Sequence, residues 1–383
     1  MKSCGIIVEY NPFHNGHRYH AQMARKETDA EIVIAVMSGN FLQRGEPALL
    51  DKWHRADAAL QNGVDLVIEL PVEWSVQSAD YFAKGAVRLL QELSCDALCF
   101  GTEESQLFDY ERFGRFVKEN QQQINEAFHQ LPNQAMSYPQ KMTEVFRTLY
   151  PKISLDFSSP NHILGLSYAK ENAEYDQPMA LFPIRRKSAD YHDETFSDQT
   201  IASATAIRKA ISNGESVSAY VPLQTAADIA SQSLQTWETY WPYLRYQLIS
   251  SNLDSLKKIY QMTEGLEVRM QEAAKQADSF SEFVSLVKTK RYTWTRIQRL
   301  ACYALLNIQT EELRVQQEKQ YIRILGFTET GKRFLKEKKG IDSYSRIGKK
   351  EAKNAKLLVR SDQIYQLGGE IAEQNFGRPP LSR

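Results

Sequence analysis

Short apolar runs alternate with amphipathic stretches through the first hundred residues. The runs cover Ile6 to Glu9, Ile32 to Met37, Leu66 to Leu70 and Ala97 to Phe100, and each ends in a polar turn. Runs this short between helical patterns mark parallel strands buried on both faces. Asp51 to Gln61 carries Trp53, Ala56 and Leu60 at helical spacing, with Gly63 as a stop, and Ser78 to Glu92 forms a second crossover helix. The alternation predicts a Rossmann-like α/β fold, an open doubly wound parallel sheet.

From Glu111 to about Tyr150 the chain turns to long helical periodicity rich in Gln and Asn, which reads as a helical insertion spanning about 105–155. Pro160-Asn161-His162-Ile163 opens a further helix, Met179 to Ile184 is one more strand, and Thr205 to Ser212 is a short helix. After Pro222 the pattern is almost wholly helical. Two domains are therefore expected: a sheet domain over 1–222 and a mainly α-helical one over 223–383.

Composition adds three constraints. With 383 residues, 42% hydrophobic and 25% charged, the chain can bury sizeable cores. The apolar run at the start is too short for a signal peptide and no run of about 18 apolar residues occurs, so a cytoplasmic location with no membrane contact is expected. Cys4, Cys95, Cys99 and Cys302 form no ladder and no CxxC pair, and read as reduced core thiols. Net charge is zero overall, yet Val284 to Arg383 holds 21 Lys and Arg against 10 Asp and Glu, a local +11. Such asymmetry points to a polyanion partner, or to a solvated helical surface.

The densest chemistry is Asn11-Pro12-Phe13-His14-Asn15-Gly16-His17, immediately after the first strand and running into a helix. In a doubly wound sheet this turn is where ligands bind. Gly16 admits close backbone approach, and the helix start offers unpaired N–H groups to a phosphate. His14 and His17, three apart, face one side of the first turn, where either an imidazolium or a neutral N–H would stabilise charge on a departing pyrophosphate. One such histidine alone would read as a cap. Ile201-Ala202-Ser203-Ala204-Thr205-Ala206-Ile207-Arg208 can be a plain capped helix or a second phosphate loop.

The His14-Asn15-Gly16-His17 tetrad resembles the HxGH signature of the HIGH nucleotidyltransferase superfamily, and Ile201 to Arg208 is similar to its ISSTxxR element, with Ala204 replacing the second Ser. Val8 to His17, Met37 to Pro47 and Arg291 to Arg299 together resemble one family, the bacterial tRNA(Met) cytidine acetate ligases. The resemblance implies ATP as substrate with Mg2+ carried on its phosphates, acetate adenylated, and the acetyl group passed to N4 of the wobble cytidine of elongator tRNA(Met). It implies His14 and His17 as catalytic groups. It assigns Ile7, Val8, Glu9, Tyr10, Asn11, Pro12, Phe13, His14, Asn15, Gly16, His17 and His20 to the nucleotide. Gly101, Asn161, Arg186, Ser203, Thr205 and Arg208 complete the expected ATP contacts. Whether Arg185 or Arg186 points inward stays open, and Ser38 to Arg44 can shape an acetate pocket or be a buried turn.

On the RNA side, Arg291, Arg296 and Arg299 lie among Tyr292 and Trp294, and Lys349 and Lys350 open a second basic stretch. Basic residues hold phosphates and aromatics stack unpaired bases, although the same aromatics can be core. No resident metal is expected from His14, His17 and His20 or from Asp190, His192 and Asp193, and no obligate protein partner is implied. Two rival readings are another HIGH-superfamily nucleotidyltransferase or an acetate ligase with a small-molecule or protein acceptor, and a non-catalytic RNA-binding protein. The basic aromatic C-terminal half argues against the first, and the intact His14, Gly16 and His17 against the second.

Overall fold

In the computed structural model the described residues are 1–103, 108–131, 138–150, 159–186, 200–263, 265–338 and 340–383. The sheet unit runs β1 (Ser3–Val8), α1 (Asn15–Thr28), β2 (Ile32–Ser38), α2 (Lys52–Gln61), β3 (Leu66–Leu70), α3 (Val72–Ser75), α4 (Ala79–Glu92) and β4 (Ala97–Thr102). Helices α5 (Tyr110–Glu119), α6 (Gln121–Gln130) and α7 (Tyr138–Leu149) follow, then α8 (Pro160–Asn172), β5 (Ala180–Arg185) and α9 (Ala204–Ser212). The remainder comprises α10 (Leu223–Ser231), α11 (Trp237–Ser250), α12 (Leu253–Lys257), α13 (Leu266–Gln276), α14 (Phe280–Val287), α15 (Trp294–Leu305) and α16 (Thr310–Gln317). It closes with β6 (Ile322–Phe327), α17 (Glu329–Glu337), β7 (Ser343–Tyr344), α18 (Lys349–Asn354), α19 (Lys356–Tyr365) and β8 (Leu381–Ser382).

The strand order is β5-β4-β1-β2-β3-β6-β7, with β8 also paired to β6. The first five strands are mutually parallel. Along β2 the side chains alternate: Ile32, Ile34 and Val36 join one core with Phe82, Val87 and Leu90 of α4. Val33, Ala35 and Met37 join the opposite core with Ala21 and Ala24 of α1 and Ala56 and Ala59 of α2. Burial on both faces explains why these strands read as continuous apolar runs. The chain winds from β1 toward β3 on one side and from β4 toward β5 on the other, so the switch point lies between β1 and β4.

The segment after Pro222 is mainly helical, as expected, but it also returns three strands to the sheet. β6 pairs antiparallel with β3, matching Leu66 to Phe327 and Glu69 to Arg323. Helical periodicity on either side hides this six-residue apolar run, and its role is decided by the open edge of β3. The sheet therefore draws strands from both sides of residue 222. The helical core of α11 to α16 and α19 also takes in Phe41, Val72 and Val76 from the sheet unit's loops.

All four cysteines are free and buried. Asp190, His192 and Asp193 lie outside the described residues.

Candidate active site

A cavity of about 390 Å³ opens at the carboxyl ends of β1 and β4. Ile7 to Asn11 form its floor, His14, Gly16, His17 and His20 come from α1, and Gly101 ends β4. Asn161 of α8, Arg185 and Arg186 after β5, and Ser203, Thr205 and Arg208 of α9 complete its polar side. A wider hollow of about 620 Å³ is lined by Gln121, Gln122, Asn125, Glu126, His129 and Gln130, all from α6. That hollow is an open helix surface, whereas several separate elements converge on the switch-point cavity.

The two signature histidines cap α1 reciprocally. His14 is the N-cap, and its Nδ1 accepts the Gly16 N–H at 3.1 Å. His17 Nδ1 accepts the His14 N–H at 3.2 Å. The rings stack with centroids 3.6 Å apart. Because each Nδ1 is occupied as an acceptor, the neutral ring carries its proton on Nε2 and keeps that atom as a donor. Burial, aided by the Arg186 and Arg208 charges, lowers the His14 pKa to about 3. Burial and the neighbouring His14 lower His17 well below its ordinary value. Burial and Arg186 bring His20 to about 4. Of the two states open from sequence, the geometry selects neutral donors. Gly16 has a reason beyond phosphate access: a Cβ there would sit 2.8 Å from the His14 ring.

Opposite the histidines, Arg208 donates to the Asn11 carbonyl at 2.9 Å and pairs with Glu46 at 3.7 Å. Ser203 caps α9 by accepting the Ala206 N–H. The loop therefore is the capped helix that one reading expected, and it also lines the cavity. Both Arg185 and Arg186 reach the lining, but Arg185 is largely exposed, while Arg186 lies over Gly101 and 3.9 Å from Glu103. Glu103 also accepts from the Asn161 side chain and from the His162 N–H, so it fixes the start of α8 against β4.

Three expected contacts lie elsewhere. Pro12 and Phe13 are buried, with Phe13 packed edge-on to Tyr10 in the core. Asn15 turns away and donates to the carbonyls of Thr200 and Ala219, tying α1 to the α9 segment. Their types suit a tight turn, and periodicity cannot tell a turn's inner face from its outer one.

Other residues at the site were legible only in three dimensions. Arg55 is fully buried and donates to the carbonyls of Glu9, Ser38, Gly39 and Leu50, pinning the turns after β1 and β2 together. Phe82, Phe100, Ile163, Leu164 and Tyr168 form an apolar wall. Leu42, Gln43, Arg44 and Glu46 enter the lining, so the segment after β2 does border the cavity. The resemblance over Met37 to Pro47 signalled it, but helix α4's contribution carried no signal beyond ordinary core periodicity.

The C-terminal half is fastened to these loops. Trp237 Nε1 donates to the Gly45 carbonyl at 2.8 Å, Tyr365 Oη to Ala48 at 2.7 Å and Tyr303 Oη to Val76 at 2.6 Å. Gly45 packs directly on the α15 backbone at Arg299. Arg299 is accordingly half-buried, with its Nε sealed from solvent and without a hydrogen-bond partner among the described residues, while Arg291 is exposed and Arg296 lies 4.8 Å over the Tyr292 ring. Tyr292 is buried and Trp294 is exposed, so of the two aromatics Trp294 has the open face. Lys349 and Lys350 are exposed on α18 and do not line the cavity.

The HIGH Nucleotidyl Transferase family model matches residues 1–378. The chain is 42% identical to the tRNA(Met) cytidine acetate ligase of Latilactobacillus sakei, covering 100% of this chain and 97% of that one. It is 38% identical to the protein of the same name in Bacillus subtilis, covering 100% and 97%. Its fold superposes on the crystal structure of apo Thermotoga maritima TmcAL with a TM-score of 0.91, at 30% identity and with 100% and 99% of the two chains covered. The same neighbour bound with alpha-thio ATP gives a TM-score of 0.88, at 30% identity and with the same 100% and 99% coverage. With a capped histidine pair at the switch point and full-length similarity of this order, the chain belongs to the tRNA(Met) cytidine acetate ligase family of HIGH nucleotidyltransferases.

Proposed function

We propose that this protein is an ATP-dependent ligase that adenylates acetate and transfers the acetyl group to N4 of the wobble cytidine of elongator tRNA(Met). The observation that carries the reading is the His14–His17 pair, two neutral donors locked at the start of α1 beside Arg186 and Arg208. A carboxylate oxygen attacks the α-phosphorus of ATP, and pyrophosphate leaves with its charge met by these donors and cations. No side-chain nucleophile is required. Magnesium travels with the substrate's phosphates.

The nucleotide contacts we assign are Ile7, Val8, Tyr10 and Asn11 with the main chain of Glu9, then His14, Gly16, His17, His20, Gly101, Asn161, Arg186, Ser203, Thr205 and Arg208. A Cβ at Gly101 would make only ordinary contact with Arg186, at 3.5 Å, so the protein's own packing does not by itself require a glycine there. Adenylation turns acetate into an acylating agent whose leaving group is AMP, which a weakly nucleophilic cytosine amine can displace.

The segment 223–383 is the tRNA-binding part in this reading. Arg291 and Arg296 together with the exposed Trp294 present phosphate and base contacts beside the Gly45 loop that borders the cavity. The target cytidine leaves its stack to reach the adenylate, which an exposed anticodon loop makes inexpensive. Among the described residues no helix is long and apolar enough to cross a membrane, and a tRNA substrate is met in the cytoplasm. The deciding experiment measures acetate-dependent exchange of pyrophosphate into ATP, then labelled acetyl transfer to cytidine in added tRNA. Exchange without transfer to any tRNA would replace the acceptor, and no acetate-dependent signal would overturn the reading.

A further inference from the structure

Two carboxylates line the cavity among the described residues, and they differ in one respect. Glu46 is neutralised by Arg208 at 3.7 Å. Glu9, at the end of β1, uses only one oxygen: its Oε1 accepts the Gln43 N–H at 2.6 Å and the Ser38 hydroxyl at 3.3 Å. Among the described residues no hydrogen bond or ion pair engages Oε2. The Glu9 backbone is held in turn by Arg55, through a 2.6 Å bond to its carbonyl. This carboxylate is thus firmly positioned with one acceptor oxygen left over.

Such an oxygen is ill suited to the phosphate chain, whose oxygens it would repel. It suits a group that brings N–H donors and later releases a proton. In the proposed reaction that group is the exocyclic amine of the incoming cytosine. Glu9 lies between the Ser38–Gln43 loop and the apolar wall at Tyr168, with Arg44 the cation on its own side of the cavity, while the imidazoles come from α1 and the remaining cations from α9 and the turn after β5. We infer that Glu9 is the catalytic base of the transfer step, receiving the cytidine N4–H on Oε2 and taking its proton as the amide forms.

The step balances. The N4 lone pair attacks the acetyl carbon, a C–N bond forms, and the C–O bond to the AMP phosphate breaks with its electrons on that phosphate oxygen. One N4 proton passes to Glu9 and the other stays on the amide. Burial raises the Glu9 pKa from its usual value and Glu46 adds to the rise, against the Gln43 N–H and the charges of Arg44 and Arg55. Tyr168 faces the same site from α8 with its own pKa raised by burial and by Glu9. The carboxylate is therefore a stronger base than an exposed one.

The inference rests on the ligase reading, and Glu9→Gln tests it separately. The amide oxygen still accepts both bonds now made by Oε1, so only the basic second oxygen is lost. Wild type and variant are compared in acetate-dependent pyrophosphate exchange and in single-turnover acetyl transfer to tRNA across pH. Transfer is expected to fall roughly a hundredfold or more, by far the larger of the two losses, and to lose the acid limb present in wild type. Equal loss of both half-reactions, or transfer at the wild-type rate, or an unchanged acid limb, overturns the role of Glu9. A wild type without acetate-dependent exchange overturns the ligase reading itself, and the inference with it.

Discussion

His14 and His17 stack at 3.6 Å, and the stack is held by the backbone of their own turn, since His14 N–H donates to His17 while Gly16 N–H donates to His14. The signature motif is therefore a helix cap and a donor pair at once. His17→Ala removes one donor and frees the His14 N–H, and adenylate formation is expected to fall by about a hundredfold or more. Filter binding of tRNA should change little, which separates the two activities.

These histidines and His20 set a pH dependence of stability. Their folded pKa values lie below the ordinary 6.5, near 3 for His14 and near 4 for His20. The unfolded chain consequently binds more protons than the native one between pH 6.5 and about 4, and stability is lost as pH falls through that window. Urea midpoints at pH 7 and pH 5 should differ in that direction, and His20→Gln should shrink the difference. A midpoint that rises on acidification would contradict the buried neutral state.

Lys52 Nζ sits fully buried between Glu69 at 2.8 Å and Asp362 at 2.6 Å, joining α2, β3 and α19. Asn40 donates to the other oxygen of Asp362. Lys52→Met leaves two buried carboxylates facing each other, for an expected loss of about 3–5 kcal/mol, measurable as a shift in the chemical unfolding midpoint. Because Glu69 and Asp362 come from opposite ends of the chain, the unfolding of fluorescence probes on both halves should shift together.

Gly45 has φ +76° and a Cβ added there would meet the Arg299 backbone at 2.5 Å. Gly45→Ala is expected to cost more than about 1 kcal/mol, and to depress acetyl transfer more than adenylate formation by moving α15 off the loop. Steady-state KM for tRNA alongside exchange activity reads this directly.

Arg296 lies 4.8 Å over the Tyr292 ring, and among the described residues no carboxylate forms an ion pair with it. Arg296→Ala should raise the Kd for tRNA, with little effect on exchange, and should flatten the salt dependence of binding by about one unit of slope. Arg299→Ala is a poorer probe, since the half-buried side chain packs against Gly45 and its loss disturbs the loop as well.

The parallel strands of the sheet and the turn at its switch point were legible because their signals are local. Ile32 to Met37 is apolar on both faces, and the Asn11 to His17 turn places donors and a glycine where a strand meets a helix. The full-length resemblance extended that reading to chemistry. What stayed hidden depends on residues far apart. Nothing near Tyr321 says that Ile322–Phe327 will pair antiparallel with β3, because pairing belongs to the partner edge as much as to the run itself.

Sequence by itself determined the five parallel strands with their crossover helices, the Asn11 to His17 turn and the charge imbalance, all properties of short windows. Tertiary structure alone decided that His14 and His17 are neutral, that Arg55 and Lys52 are buried scaffolds, that Arg299 faces a loop, and that Glu9 keeps an oxygen open to the cavity. Each of those depends on burial and on partners brought together from distant segments, and burial and pairing are what set a side chain's charge and its free lone pairs.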